Sequence, residues 1–584
     1  MALEVIPEGR QLTFITPEYP FYHFPKHIQD RIMDSFEGFF HDKILPLIPF
    51  ECLKELYSPK QNVRPANGIS IVAAILYMRA VGIKEHYFLH HIHSDIAMQY
   101  AVGTEDEINQ PFSERTFSRF RRRLLDAEDR LSINIWDTIT SKIDEGIADA
   151  MNLNKMFSII YTAAYRIDSL MIDAHAAHMT RLQLLYTGVR MAVLLMVNVD
   201  AIEYIPCQLT HYLDTSDDHK YTYYKGTIKE LEEEYSLLNG NSADTPTQND
   251  GDAEQNRKNR LVLIQDLRLR RLCEDLIHAK AMLESVHLTS SDEFVIITRL
   301  LDEQLEYDVN GKPIPKDGKS IKGSSLQSLF DTFMTYRRKN DEKNYGYTGC
   351  CAEIYSPSGS GCIVWRQFEQ NIYSDQQFAN NFYDYIIQKY RLQEQNINRI
   401  AVSCDALFTS ASLQAKVRDA RIDIYCASTG YTPDPILASF CLNQELNSII
   451  KCPENHVPIS TFYPEKMGGT IVAKFQNGEC ASCRYCLNCK ATTGKRGVST
   501  VELRLNQVLA AKNIKNLKDP VFHMFVDKRN GVESIPAALR KGYAVDECPH
   551  FGYRLHQMHF FTSTTALNIK KYYRYYKHEM NKNR

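Results

Sequence analysis

Three carboxylates and one run of cysteines are the residues of this chain whose types and spacing could do chemistry. Asp405 closes the apolar run "RIAVSCD", immediately before a loop and a helix. Carboxylates at the C-terminal edge of strands in an α/β sheet face the crevice where ligands bind; a turn or helix-capping aspartate is the competing reading. Asp168 repeats the arrangement after "AAYRI", and Asp173, five residues later, competes with it for the same role. Glu533 lies in "KRNGVESIPAALRKG", Lys528 to Gly542, between Arg529 and Arg540. At about 100° per residue these three charges fall within about 40° of one another on a helix. Taken alone, they describe an ordinary surface ion pair worth only a few tenths of a kcal/mol. Together, three carboxylates without a partnering histidine suit hard cations such as Mg²⁺ or Mn²⁺. Two such ions about 3.5 to 4 Å apart activate a water or hydroxyl and stabilise the leaving oxygen of a phosphodiester. The arginines then have phosphates to bind.

The cysteine run is "CASCRYCLNC": Cys480, Cys483, Cys486 and Cys489, with two residues between successive members. Four thiols this close suit Zn²⁺, which takes soft ligands in a tetrahedron. Such CxxC units can also share ligands with Cys452 or His456 of "KCPENHVP", and an iron–sulfur cluster or plain reduced thiols are the alternatives. Most of the fifteen cysteines are scattered, which is not the pattern of a secreted disulfide framework. His90, His91, His93, His175 and His178 show no complete ligand spacing and read as helix-face residues.

Composition bounds the rest. A chain of 584 residues with 44% hydrophobic and 24% charged residues has ample material for a core and about three or four domains. The longest apolar run, "MAVLLMVNV", is about half of what spans a bilayer, so a buried strand or helix is expected and no membrane partner. The N-terminal residues lack the basic and apolar regions of a secretory signal, so a cytoplasmic location is expected. A net charge of -3 argues against indiscriminate coating of nucleic acid, not against local basic surfaces.

Elements that would position these groups are readable from periodicity. Residues 1–150 read as an all-α N-terminal domain closing on "PFSERTFSRFRRRLL", where Ser113 caps a helix bearing Arg115, Arg119, Arg121, Arg122 and Arg123. This is either a helix that a helix-turn-helix would offer DNA or a solvated flank. Residues 151–180 hold a first core strand that then turns helical and ends near Met179, and 181–340 a helical insertion with "TIKELEEEYSLL" and a mobile polar tip at 239–256. Residues 341–431 read strand, strand, helix, strand, helix, strand, an α/β core with a mixed sheet. Residues 432–515 form the cysteine-rich insertion, and 516–584 the glutamate-bearing helix with a basic, aromatic C-terminus that either tracks DNA or frays.

The ordered set of motifs resembles the DDE-type transposases of bacterial insertion sequences, in the branch with a long helical N-terminal domain and a ribonuclease-H-like core. "IDSLMIDAHAAH" matches the first aspartate segment and selects Asp168 over Asp173. "DTFMTYRRKNDEKNYGYTG" from Asp331 matches a second segment, and Asp405 the second aspartate. A signature of Tyr, Arg, Glu and Lys falls on Val526, Arg529, Glu533 and Arg540, with valine and arginine replacing its first and last members. Pro536, three residues after Glu533, favours a helix start or kink, so one uninterrupted helix is not expected there. The resemblance implies a two-metal Mg²⁺ (or Mn²⁺) centre at Asp168, Asp405 and Glu533, and phosphate contacts from Arg529 and Arg540. It also implies terminal-repeat recognition through Arg115, Arg119 and Arg122, cleavage and 3′-end joining on double-stranded DNA, and a homodimer on the DNA. A DNA-binding protein that has lost catalysis and a nuclease that cuts without joining are the rival readings.

Overall fold

The computed structural model describes residues 20–56, 67–107, 109–214, 216, 220, 250–339, 341–390, 399–427, 432–463, 469–486, 488–489, 491–494 and 497–583. The expected helix "TIKELEEEYSLL" and the 239–249 part of the polar tip lie outside them, and helix is already established from Asp250.

A mixed sheet organises the molecule. Strand β1 (Tyr161–Asp173) is buried at nearly every position through Ile167, as a strand covered on both faces must be. The strands β2 (Thr335–Lys339), β3 (Glu342–Tyr355) and β4 (Gly361–Gln370) precede a helix, Asp375–Tyr390, and β5 (Arg399–Cys404) and β6 (Ile422–Cys426) follow it. β3 and β4 pair as the expected hairpin, and β3 runs antiparallel to β1 with Asp168 opposite Cys351. On its other side β1 runs parallel to β5, and β5 parallel to β6. The order across the sheet is thus β4-β3-β1-β5-β6, with β2 also paired to β3.

Helix α1 (Gly68–Val81), α2 (Glu114–Leu131) and α3 (Ile135–Ala150) share one apolar cluster with this sheet and with a long C-terminal helix. Ser113 caps α2 through a reciprocal contact, its own N–H donating to Thr116 Oγ1 at 3.0 Å. "MAVLLMVNV" falls within a helix, Arg181–Asn198, which with Asp250–Ser285 and Asp292–Gln304 encloses a separate apolar cluster around Val189, Leu276 and Leu300. The cysteine-rich segment builds a small antiparallel sheet of β7 (Ser460–Phe462), β8 (Thr470–Gln476) and β9 (Val498–Arg504) with its own core.

Three expectations are corrected. After Asp173 the chain is irregular to Thr180, so His175 and His178 sit on a loop, where His178 stacks on Tyr345. The C-terminus does not fray. It is the helix Tyr553–Asn583, with Tyr572 buried against Phe39 and Tyr573 edge-on to Phe36. Pro536 lies inside a continuous helix, Asn530–Tyr543, and the break falls instead at Arg529, where the helix Pro520–Lys528 ends. No helix among the described residues is long and apolar enough to cross a membrane.

Candidate active site at the sheet edge

Strand pairing delivers the first two carboxylates to one place. Tyr165 pairs with Val402 and Arg166 with Ser403 across the parallel β1–β5 contact, so the same register carried two residues further sets Asp168 beside Asp405. Both carboxylates also accept hydrogen bonds from the next residue's backbone: Ser169 N–H at 2.9 Å for Asp168 and Ala406 N–H at 2.7 Å for Asp405. Burial pushes the Asp168 carboxyl up to about 6; the Ser169 N–H and the Arg529 charge oppose this, while the Asp405 and Asp375 charges add to it. A mostly buried acid that holds its proton up to about 6 beside a second acid lacks cationic charge. An oxygen donor set in that condition fits a hard divalent cation.

Asp375 is the residue sequence reasoning missed. It opens the helix after β4, and its Oδ1 accepts a 2.7 Å hydrogen bond from Ser169 Oγ, next to Asp168. An acidic residue in a first helical turn is ordinary, so "SDQQF" held no signal that distinguished it. A cleft lined by Gln376, Ala406, Ser410, Asn506 and Asn513 opens beside the Asp405 turn.

Glu533 arrives differently. It is half exposed, and its Oε1 lies 2.8 Å from Arg529 Nη2. Arg529 is mostly buried, its Nε has no hydrogen-bond partner, and its charge is felt at Asp168 and at Cys404. Arg529 therefore stands between the aspartate pair and the glutamate. Among the described residues, no three His, Cys, Asp or Glu side chains already form a group that would hold a metal ion.

The helix bearing Glu533 is fastened to β1 by Arg166. Its Nη1 donates to the Lys528 carbonyl at 3.1 Å, its Nε pairs with buried Glu353 at 2.5 Å, and Lys571 pairs with the other Glu353 oxygen. Gly531 is obligatory at this junction, because a Cβ there would lie 1.7 Å from Arg166 Nη1. Val526, at the signature's tyrosine position, packs against the Tyr161, Tyr425 and Phe525 cluster.

The remaining positions lie apart from this cluster. Arg540 turns to Asp546 at 3.0 Å and to the Met171 carbonyl at 2.7 Å rather than to Glu533. Asp173 belongs to that neighbourhood, where its backbone N–H donates to Asp546. Its carboxyl is raised by burial and then by Asp546, with Arg540 opposing. Arg115, Arg119 and Arg122 are exposed along one face of α2, while Arg121 turns inward to Glu85 at 3.0 Å. In the cysteine unit, Cys452, Cys480, Cys483 and Cys489 are half-buried and Cys486 is exposed.

Residues 451–573 match the family model of a transposase DDE domain, and residues 29–123 match that of a transposase domain, DUF772. Together they support a DDE-type transposase of an insertion sequence. No curated protein and no solved structure matches the chain. The first matched segment takes in the cysteines, Arg529, Glu533 and Arg540, and the second takes in the Arg115, Arg119 and Arg122 face. Asp168 and Asp405 lie between the two, so their assignment stands on the sheet register and the electrostatics above.

Proposed function

We propose that this transposase binds the terminal repeats of its element, cleaves at their ends and joins the freed 3′ hydroxyls to target DNA. The observation that carries the reading is the register that sets Asp168 beside Asp405 on neighbouring parallel strands, with the charge of Arg529, the ion-pair partner of Glu533, acting at Asp168. The strand order, antiparallel on one side of β1 and parallel on the other, supports a ribonuclease-H-like core.

Asp168 and Asp405 would hold Mg²⁺, or Mn²⁺, between them, with Glu533 as the third carboxylate. The bound cations supply activation of water or of a 3′ hydroxyl and charge stabilisation at the leaving oxygen. The chain's own groups do the rest. Arg529 offers the scissile-strand phosphate a guanidinium with an unused Nε–H. As Arg529 turns to phosphate, Glu533 is released from its ion pair toward the aspartates. The fixed hydrogen bonds from Ser169 and Ala406 orient the aspartate oxygens before substrate arrives. The basic face of α2 supplies duplex contacts, weakened by salt as counterion release requires. Joining two ends calls for a dimer on DNA.

Incubating the full chain with a labelled terminal-repeat duplex, target DNA and Mg²⁺ tests the reading, with Asp405→Asn alongside. Cleaved and joined products from wild type alone are expected. Equal products from both proteins would overturn the site, cleavage without joining would leave a nuclease, and repeat binding without cleavage would leave a DNA-binding protein.

A further inference from the structure

We propose that Cys452, Cys480, Cys483 and Cys489 bind one structural Zn²⁺, and that Cys486, despite its even spacing, stands outside the set. The site lies in the small β-sheet unit, away from the carboxylates, and does not depend on the transposition chemistry. Its cavity measures about 20 Å³, room for a single ion or water. All five thiols border it, but they differ in how they are held. Cys452, Cys480 and Cys489 pack against the apolar core of Ile471, Phe475 and Val501, and Cys483 is half-buried beside them. Cys486 is exposed and has no part in that packing.

Donors converge on the sulfurs of the chosen set. The Tyr485 N–H donates to Cys483 Sγ at 3.4 Å, and the Ala491 N–H approaches Cys489 Sγ, each from two residues downstream. The Ser499 hydroxyl, which donates to Asn477 Oδ1 at 2.8 Å, lies against Cys480. Contacts of this kind fix ligand orientation around a metal. Cys452 is brought in by a turn in which its N–H donates to the His456 carbonyl at 3.0 Å and Asn455 takes a left-handed φ of 67°. His456 itself faces Glu479, with Nδ1 3.6 Å from the carboxylate, which leaves the fourth position to Cys452. The four thiols line this one cavity without already being grouped as ligands, so side-chain rotations would have to close them around an ion.

The ion would staple the turn at Cys452 to the loop at Cys480–Cys489 across β8 and β9. That unit leads directly into the helix Leu505–Asn516, whose Asn513 side chain bonds the Cys426 carbonyl at 2.9 Å and lines the cleft beside Asp405.

Metal analysis of the purified full chain tests the assignment. One zinc per chain is expected in wild type, in Cys486→Ser and in His456→Ala, with a loss of about tenfold or more in Cys452→Ser. A second measurement does not require the Cys452 variant to fold. The Co²⁺-loaded wild type and Cys486→Ser are expected to share one tetrathiolate absorption spectrum. Zinc-free or iron-containing wild type would overturn the proposal, as would a shifted cobalt spectrum or zinc loss in Cys486→Ser, or full zinc retention in Cys452→Ser.

Discussion

The two sides of the carboxylate site are built to different standards of rigidity. Asp168 lies within β1 and Asp405 just past the end of the neighbouring β5, with backbone hydrogen bonds aimed at their oxygens. Glu533 rides on a helix joined to the sheet through the Arg166 contact at Lys528, and its half-exposed carboxylate is held by Arg529. On the proposed reading the sheet side would receive the cation and the helix side would hold a ligand in reserve, with Arg529 easing the burial of Asp168 and pairing with Glu533.

Removing a sheet-side acid has the largest expected effect. Asp405→Asn should cut DNA cleavage by about 10³-fold or more, with the melting temperature little changed in the same preparation. Gly531→Ala attacks the joint between the two sides. Its Cβ must displace buried Arg166 from Lys528 and Glu353, so a loss of about 3 kcal/mol in denaturant unfolding is expected, together with a cleavage defect although no carboxylate is touched.

Asp168→Asn separates stability from function. The folded carboxyl titrates near 6, above its unfolded value, so its ionised form costs stability above pH 6. That cost fades as pH falls through about 6 and is gone below the unfolded value near 4. The metal-free variant should therefore be more stable than wild type by about 2 kcal/mol at pH 8, after discounting for partial exposure, and no more stable near pH 4. Urea melts at the two pH values check this, while cleavage by the variant should be lost. Ser534→Ala is the smallest perturbation. Its exposed hydroxyl bonds only the Gly531 carbonyl, so unfolding should shift by less than about 0.5 kcal/mol and cleavage should stay at wild-type level.

The same contrast explains what the amino-acid sequence could and could not convey. Asp405 could be placed because it ends a short apolar run that is a strand; Asp168 was expected at a strand end in the same way, but β1 continues past it to Asp173. The helix around Glu533 was visible in its periodicity, but its break was expected at Pro536 and lies at Arg529. Arg540 shares the helix face of Glu533 yet turns to Asp546 and Met171, partners that only folding brings near. The C-terminal tyrosines and lysines read as a tail that either tracks DNA or frays, with no hint of a packed helix. They pack on Phe36, Phe39 and Glu353, hundreds of residues upstream, and no local pattern encodes such contacts. Spacing along the chain also does not say which of the evenly spaced cysteines the fold turns outward, and here that one is Cys486.

Calorimetric titration of Mn²⁺ into the DNA-free protein tests the two-stage site most directly. Binding should be abolished in Asp168→Asn and Asp405→Asn and unchanged in Glu533→Gln, with the glutamate contributing only once terminal-repeat DNA is added. Equal loss of DNA-free binding in all three variants would contradict a site whose third ligand is held back by Arg529.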